Sequence, residues 1–401
     1  MNPNESLNVG APITERPALD DVEAAVMRRY GAGARRAEPC LRTPIEYDPR
    51  FLEALPREII EKDYGCGDPS VYVGEGESVV DLGSGAGKIC YILSQKVGPK
   101  GFVTGVDFND EMLALSRKYI GYVADRVGYG NVRFVKARIQ DLALDLDAAQ
   151  GWLDASPVRS VDQLAAFEAE CDRLRRKQPL VPDSSVDVVV SNCVLNLVRP
   201  QDKPKLFAEI FRVLRPGGRA VIADITCDED PTPAMKADPD LWSGCIAGAF
   251  REDRFLEIFA RAGFYGMEIL SRRAEPWRVI EGVEFRAATV RAFKGEGEPC
   301  LERNHAVIYK GPWKSVCDDD GHTLHRGQRT AVCDKTFSIL TEPPGPYCRD
   351  VAPVPPREAV PLDEVVPFDR ERNAVRHPRE TKGMDYRETT ANDSACCSSC
   401  E

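Results

Sequence analysis

Histidine is scarce. Four are present, His305, His322, His325 and His377, all within the last hundred of 401 residues. Imidazole zinc sites and imidazole-activated nucleophiles are thereby excluded from the main part of the chain. Positive charge is also short, with 53 Lys and Arg against 64 Asp and Glu for a net −11. Nucleic acid and anionic membrane surfaces want a basic face, so neither is an expected partner. No apolar run approaches the roughly 20 residues of a bilayer span. Acidic residues and prolines fill Met1–Tyr30 where a secretory signal would hold an apolar block, and a cytoplasmic chain is expected.

Cysteine, by contrast, is plentiful. There are fourteen, in a chain too long and too cysteine-poor per residue for a secreted disulfide scaffold. In a reducing compartment such thiols are free, bound to a soft ion, or redox-active. Hydrophobic content of 43% supports a large core, in a chain read as a monomer. At about 150 residues per domain, the length suggests two or three units.

The pattern divides accordingly. Residues 1–60 form a polar N-terminal arm with a helical stretch, Leu19–Arg29. Residues 61–295 alternate short apolar strands with helices, which predicts an α/β unit with a mostly parallel sheet and an antiparallel closing pair. The strands are expected at 78–83, 101–107, 131–136, 185–191 and 220–225, with 266–270 and 284–293 closing, and one helix spans Asp110–Val127. A charged, helix-prone insertion, 144–180, delays the fourth strand. Residues 296–342 read as a small β-rich appendage, with Phe337–Leu340 as one of its strands, and 343–401 as a disordered tail ending in Ala-Cys-Cys-Ser-Ser-Cys-Glu.

Asp-Leu-Gly-Ser-Gly-Ala-Gly-Lys (81–88) joins the first strand to a helix. Its glycines, Gly83, Gly85 and Gly87, give G-x-G-x-G, whereas a dinucleotide turn wants G-x-G-x-x-G and a phosphate loop G-x-x-x-x-G-K-[ST]. Both phosphate readings fail. The turn, with Asp107 at the end of the second strand, resembles Rossmann-like methyltransferases that use S-adenosylmethionine. The resemblance implies that Asp81, Gly83, Ser84, Gly85 and Gly87 contact the cofactor. It further implies that Asp107 accepts the ribose hydroxyls through charge-assisted bonds. Phe108, Asn109, Met112, Ile139 and Gln140 would then border the adenine.

Three cysteines lie in small-residue settings: Tyr-Gly-Cys-Gly (64–67), Ser-Asn-Cys-Val-Leu-Asn (191–196) and Trp-Ser-Gly-Cys-Ile-Ala-Gly (242–248). Cys193 is expected at the carboxyl edge of the sheet, where ligands of open α/β folds bind. Cys245 comes from the same edge and Cys66 covers it; three such thiolates would make a trigonal soft-ion site. These segments resemble the arsenite S-adenosylmethionine methyltransferases. That resemblance implies that Cys66, Cys193 and Cys245 bind trivalent arsenic as substrate. It also implies that Cys40 forms a disulfide with Cys66 during turnover, that Tyr64 and Asn192 border the cofactor, and that a thiol reductant such as glutathione or thioredoxin is required. Cys90 is read as core, Cys171 and Cys227 as structural or incidental. Cys300, Cys317, Cys333 and Cys348 contain no C-x-x-C pair and carry only a weak metal signal. Two alternatives stay open: a methyltransferase for another small molecule, and a non-catalytic soft-metal-binding thiol protein.

Overall fold

The computed structural model describes residues 19–38, 45–295, 297, 299–343, 345–361 and 363–383, with side chains from Val22 onward. Cys40 and the cysteines at 396, 397 and 400 lie outside the described residues. Close contacts divide the chain into two units. The first runs to Phe264 and includes Ile269–Lys294; the second holds 265–268 and everything from Gly295.

In the first unit, β1 (Ser78–Leu82), β4 (Val186–Asn192) and the second half of β5 (Leu214–Cys227) are almost wholly buried. Runs buried on both faces belong in the middle of a parallel sheet covered by helices. β2 (Phe102–Asp107) lies parallel to β1, and β3 (Val132–Lys136) parallel to β2. On the other side, β4 pairs with β1 and β5 with β4, again in parallel. The short β6 (Phe250–Arg251) pairs in parallel with the last residues of β5. Then β7 (Phe264–Arg272), β8 (Arg278–Ile280) and β9 (Val283–Lys294) close the sheet, with β9 antiparallel to β5. The order β3-β2-β1-β4-β5-β9-β7 reverses between β1 and β4. Ligands of such sheets bind outside the carboxyl ends of the strands at that reversal. The mostly parallel sheet with an antiparallel closing strand is the fold the sequence predicted.

Three local readings need correction. The helix expected over Asp110–Val127 is two, Asp110–Lys118 and Ile120–Val127. It breaks at Tyr119, whose φ of −106° and ψ of 6° leave the helical region and whose hydroxyl donates to Glu58. The helix in the N-terminal arm, α1 (Leu19–Arg35), runs longer than expected and packs on the α/β unit. Phe337–Leu340 is not a strand; it lies inside the helix Asp334–Thr341, capped by the Cys333 sulfur accepting from the Thr336 N–H. Four residues cannot distinguish the two periods, and the cap decided it.

The insertion is a helix pair, Leu146–Ala155 and Val161–Lys177. It has a small core of its own around Ala149, Cys171 and Leu174. Arg175 donates to Asp141 Oδ2 at 3.0 and 3.1 Å, tying the pair to the 139–142 loop.

In the second unit, Ala306–Tyr309 is the middle of three antiparallel strands, between Arg329–Ala331 and Val351–Val354. Ordered structure thus passes the expected boundary at 342 and continues to Lys382. The physical reason is Arg376, fully buried, which pairs with Glu302 and Glu380 and donates to the His305 carbonyl. A buried guanidinium fixed by two carboxylates holds a Pro- and Arg-rich segment that composition alone marks as disordered.

Candidate active site

Gly83, Gly85 and Gly87 have φ of 69°, 51° and 88°, left-handed values that side chains with a Cβ disfavour. A Cβ at 83 would stand 2.5 Å from Val194, and one at 87 would stand 2.7 Å from Phe134. At Gly85 a Cβ would meet nothing within 4 Å, so the turn presents bare backbone to open space. That space is a cavity outside β1, β2 and β4, bordered by Gly83, Ser84 and Gly85.

Its polar atoms fit the cofactor. Asp81 Oδ1 and Ser84 Oγ are buried and have no hydrogen-bond partner. Both residues line the cavity, so an ammonium or hydroxyl entering it meets ready acceptors. The other Asp81 oxygen accepts from the Cys90 thiol at 3.2 Å. Burial pushes the Asp81 carboxyl up to about 7, with the Cys90 bond working against it and Asp107 and Asp63 adding to it. Asp107 stands at the end of β2, where its oxygens accept the N–H groups of Gly85 and Asn109, each at 2.8 Å. Burial raises its pKa and these backbone donors oppose the rise. Phe108, Asn109, Met112, Ile139 and Gln140 complete the far wall. Gly87 is not on the wall; its φ forms the turn from behind.

Helix α1 roofs the cavity with Glu23, Val26, Met27 and Tyr30. The sequence reading missed these four, because nothing local in a polar arm marks a contact made so far along the chain. The Asn109 amide donates to Met27 O at 3.1 Å, and Arg138 reaches Glu23 at 3.2 Å. Tyr64 donates to Gly33 O at 3.0 Å and accepts the Glu38 N–H at 3.1 Å. It lines the cavity while its hydroxyl secures α1.

Cys193 forms part of the cavity wall, and Cys66 and Cys245 stand behind it in one buried cluster. The thiols influence one another in sequence, Cys66 and Cys193 each shifting the other's titration and Cys193 that of Cys245. No group of three His, Cys, Asp or Glu side chains among the described residues stands at metal-holding spacing. The Cys245 thiol also donates to the Cys193 carbonyl at 3.2 Å, and Tyr30 Oη lies 3.8 Å from Cys245 Sγ. All three are raised above the ordinary thiol range. For Cys66 the main cause is burial. At Cys193 the Cys245 contact pulls down, and is outweighed by the Cys66 contact and burial. At Cys245 the Cys193 contact and burial act together.

Two of these cysteines are strained. Cys193 and Cys245 have φ of 65° and 62°, among five non-glycine residues with positive φ in the described chain. Such a conformation costs on the order of 1–3 kcal/mol and persists where the surroundings over-determine it. Here two asparagines do so. Asn192 Oδ1 accepts the N–H groups of Cys66 (2.8 Å) and Gly67 (3.1 Å), and its Nδ2 donates to Gly67 O at 2.7 Å. Asn196 Nδ2 donates to Ile225 O at 2.7 Å and to Cys245 O at 3.2 Å. Each asparagine therefore brackets one of the other two cysteine loops against Cys193. The approach is close: a Cβ at Gly65 would fall 2.2 Å from the Asn192 amide, and one at Gly248 would fall 1.9 Å from Asn196 O. The signal for Asn196 was a second amide inside an apolar run.

Below the thiols, Asp224 is fully buried and accepts the N–H groups of Leu195 (2.9 Å) and Ile225 (2.8 Å). Burial lifts its carboxyl to about 6, against those donors and nearby Lys203. Lys203, itself buried and lowered to about 8 by desolvation, donates to Gly248 O at 2.6 Å and lies over the Phe250 ring. The sequence gives Lys203 as the start of a helix and Asp224 near the end of the fifth strand, without a place for either in the site.

Comparison with known proteins identifies the family. Residues 74–263 match a family model described as a methyltransferase domain, and 296–386 match a domain of unknown function. The arsenite methyltransferase of Aquipseudomonas alcaligenes is 31% identical over 306 residues, 73% of this chain and 78% of its own length. The human arsenite methyltransferase is 27% identical over 340 residues, 80% of this chain and 81% of its own. Among solved structures, an arsenic(III) S-adenosylmethionine methyltransferase from Chlamydomonas reinhardtii superposes with a TM-score of 0.52 at 26% identity, covering 82% of this chain and all of that one. With a glycine turn and carboxylates suited to the cofactor, and likeness across three quarters of its length, the chain belongs to the S-adenosylmethionine-dependent arsenite methyltransferases.

Proposed function

We propose that the enzyme methylates trivalent arsenic, first arsenite and then its monomethylated product, with Cys66, Cys193 and Cys245 as the arsenic ligands. One observation carries the reading: three buried thiols share one cluster beside the cofactor cavity, with Cys193 on its wall.

The thiols' raised pKa values suit ligand exchange. As each As–O bond breaks and an As–S bond forms, the thiol proton leaves with the hydroxyl as water. Three exchanges release three waters, with no net proton to place. Neutral buried thiols are therefore the right reactants, and a dry site disfavours hydrolysis of the bonds that form. The asparagine brackets pre-set the ligand loops, which lowers the entropy cost of gathering three ligands. Bound at Asp81, Ser84 and Asp107, S-adenosylmethionine supplies a methyl group on a sulfonium, open to in-line attack by the arsenic lone pair. Arsenic has no proton to lose, so no general base is needed, in keeping with a catalytic unit free of histidine.

Methyl transfer oxidises arsenic to the pentavalent state. Attack of the Cys40 thiolate on the Cys66 sulfur forms a disulfide, and the electron pair of the As–S bond returns to arsenic. Cys193 and Cys245 then hold a trivalent monomethyl product. Glutathione or thioredoxin reduces the disulfide for the next cycle.

Incubation with arsenite, a thiol and methyl-labelled cofactor, followed by separation of arsenic species, tests this. Labelled mono- and dimethylarsenic are expected. Label absent from arsenic, or transferred instead to a phenol or thiol acceptor, would overturn it.

A further inference from the structure

Helix α1 carries Tyr30 to the thiol cluster. Its phenol oxygen lies 3.8 Å from Cys245 Sγ, within reach of a bond to sulfur, and the residue lines the cofactor cavity. The Cys245 thiol has one proton, and that proton goes to the Cys193 carbonyl at 3.2 Å. A thiol has nothing further to donate, so the Tyr30 hydroxyl is the donor and the sulfur lone pair accepts. Burial, then Cys245 and Cys193, raise the phenol well above its usual range against Arg29, so it keeps its proton.

The hydroxyl is not needed to seat the helix. Arg29 donates to Asp240 O at 3.0 Å and to Ser243 Oγ at 3.1 Å. Val22 and Val26 pack with Trp242 and Ala247 in a cluster of their own. The Tyr30 ring meets Tyr64 edge-on, with centroids 6.1 Å apart. None of these contacts uses the phenol oxygen.

We propose that Tyr30 is a positioning residue for arsenic, its hydroxyl holding the Cys245 sulfur once that sulfur has become an arsenic ligand. This role rests on the arsenic reading above. As an As–O bond breaks and the Cys245 As–S bond forms, the thiol proton leaves with the hydroxyl as water. The Cys193 carbonyl then loses its donor. Tyr30 keeps its proton and faces a sulfur that bears more negative charge. Hydrogen bonds to charged acceptors are shorter and stronger than neutral ones. Tyr30 therefore favours the arsenic-loaded site over the empty one.

Tyr30→Phe tests this with methylarsonous acid. The parent is the full chain with Cys66→Ser, Cys396→Ser, Cys397→Ser and Cys400→Ser, which leaves Cys193 and Cys245 as the thiols of the site. In calorimetry Tyr30→Phe should weaken methylarsonous acid roughly fivefold or more. S-adenosylmethionine affinity and Tm should match the parent, because the ring and the Arg29 contacts remain. With Cys245→Ser in place of Cys66→Ser, the arsenical binds Cys66 and Cys193, and Tyr30→Phe should change nothing. Equal affinity in the first pair of chains, or a parent that binds no arsenical, overturns the proposal. So does an equal loss in the Cys245→Ser pair, which would show that Tyr30 acts other than through that sulfur. Binding needs no methyl transfer. A chain that shows the Tyr30 effect but leaves arsenite unmethylated sinks only the functional reading; one that methylates arsenic without the effect sinks only this role.

Discussion

At the residue scale, chemistry follows from burial. In the proposed mechanism Cys193 and Cys245 remain ligands through both rounds, whereas Cys66 and Cys40 serve the first round and its reset. Cys193→Ser and Cys245→Ser should therefore lose methylation of arsenite and of monomethylarsenite alike, by more than about 100-fold, as for removal of a reacting group. Cys66→Ser and Cys40→Ser should lose only the first. Product analysis on each substrate checks the split; wild-type rates in Cys193→Ser would remove that sulfur from the mechanism. Asp81 makes a second case. Its folded pKa of about 7 lies above its ordinary value of 3.8, so the folded chain binds the extra proton between them. Its contribution to stability is present at low pH and is lost as pH rises across that window. A cationic cofactor favours the ionised form, so affinity should climb with pH, by at most about tenfold per unit, and level off above about 7. Calorimetry from pH 5 to 8 checks this, and in Asp81→Asn the slope should vanish.

At the element scale, the site depends on the short segment at the end of β4. Strand, asparagine, strained cysteine, short turn and second asparagine occupy five successive positions, 192–196, and fasten two distant loops. Asn196→Ala would leave the Ile225 and Cys245 carbonyls without their amide donor, a loss of about 1–3 kcal/mol. Its Tm and its kcat on arsenite should both fall, while cofactor affinity stays unchanged, since Asn196 does not line the cofactor cavity. Equal loss of cofactor binding would show collapse of the whole edge. The same scale exposes where local reading stops. The β1 and β4 strands were legible because runs of Val and Leu bounded by turn residues fit a buried parallel strand. The Phe337–Leu340 stretch was not, because a four-residue apolar run fits either period until its cap is seen.

At the scale of the molecule, two features compensate for poor local signals. Arg376 orders the segment beyond 342 by gathering Glu302 and Glu380. Arg376→Ala would leave the carboxylates clustered without their cation, at a cost of roughly 3–5 kcal/mol. Limited proteolysis should then cut within 355–383 at concentrations of protease that spare the parent chain. Helix α1 likewise becomes part of the active site through contacts such as Tyr30 to Cys245, 215 positions apart.

The sequence by itself determined the sheet, the glycine turn and Asp107, because backbone periodicity and turn chemistry are local constraints written within a few residues. It also singled out Cys66, Cys193 and Cys245, whose small-residue neighbours permit close backbone approach. Only the tertiary structure decided that Asn192 and Asn196 bracket those loops, that Asp224 and Lys203 lie beneath them and that α1 roofs the cavity. Those arrangements rest on hydrogen bonds and burial between segments far apart in the chain. Such contacts exist only once the sheet has folded, and no local pattern encodes them.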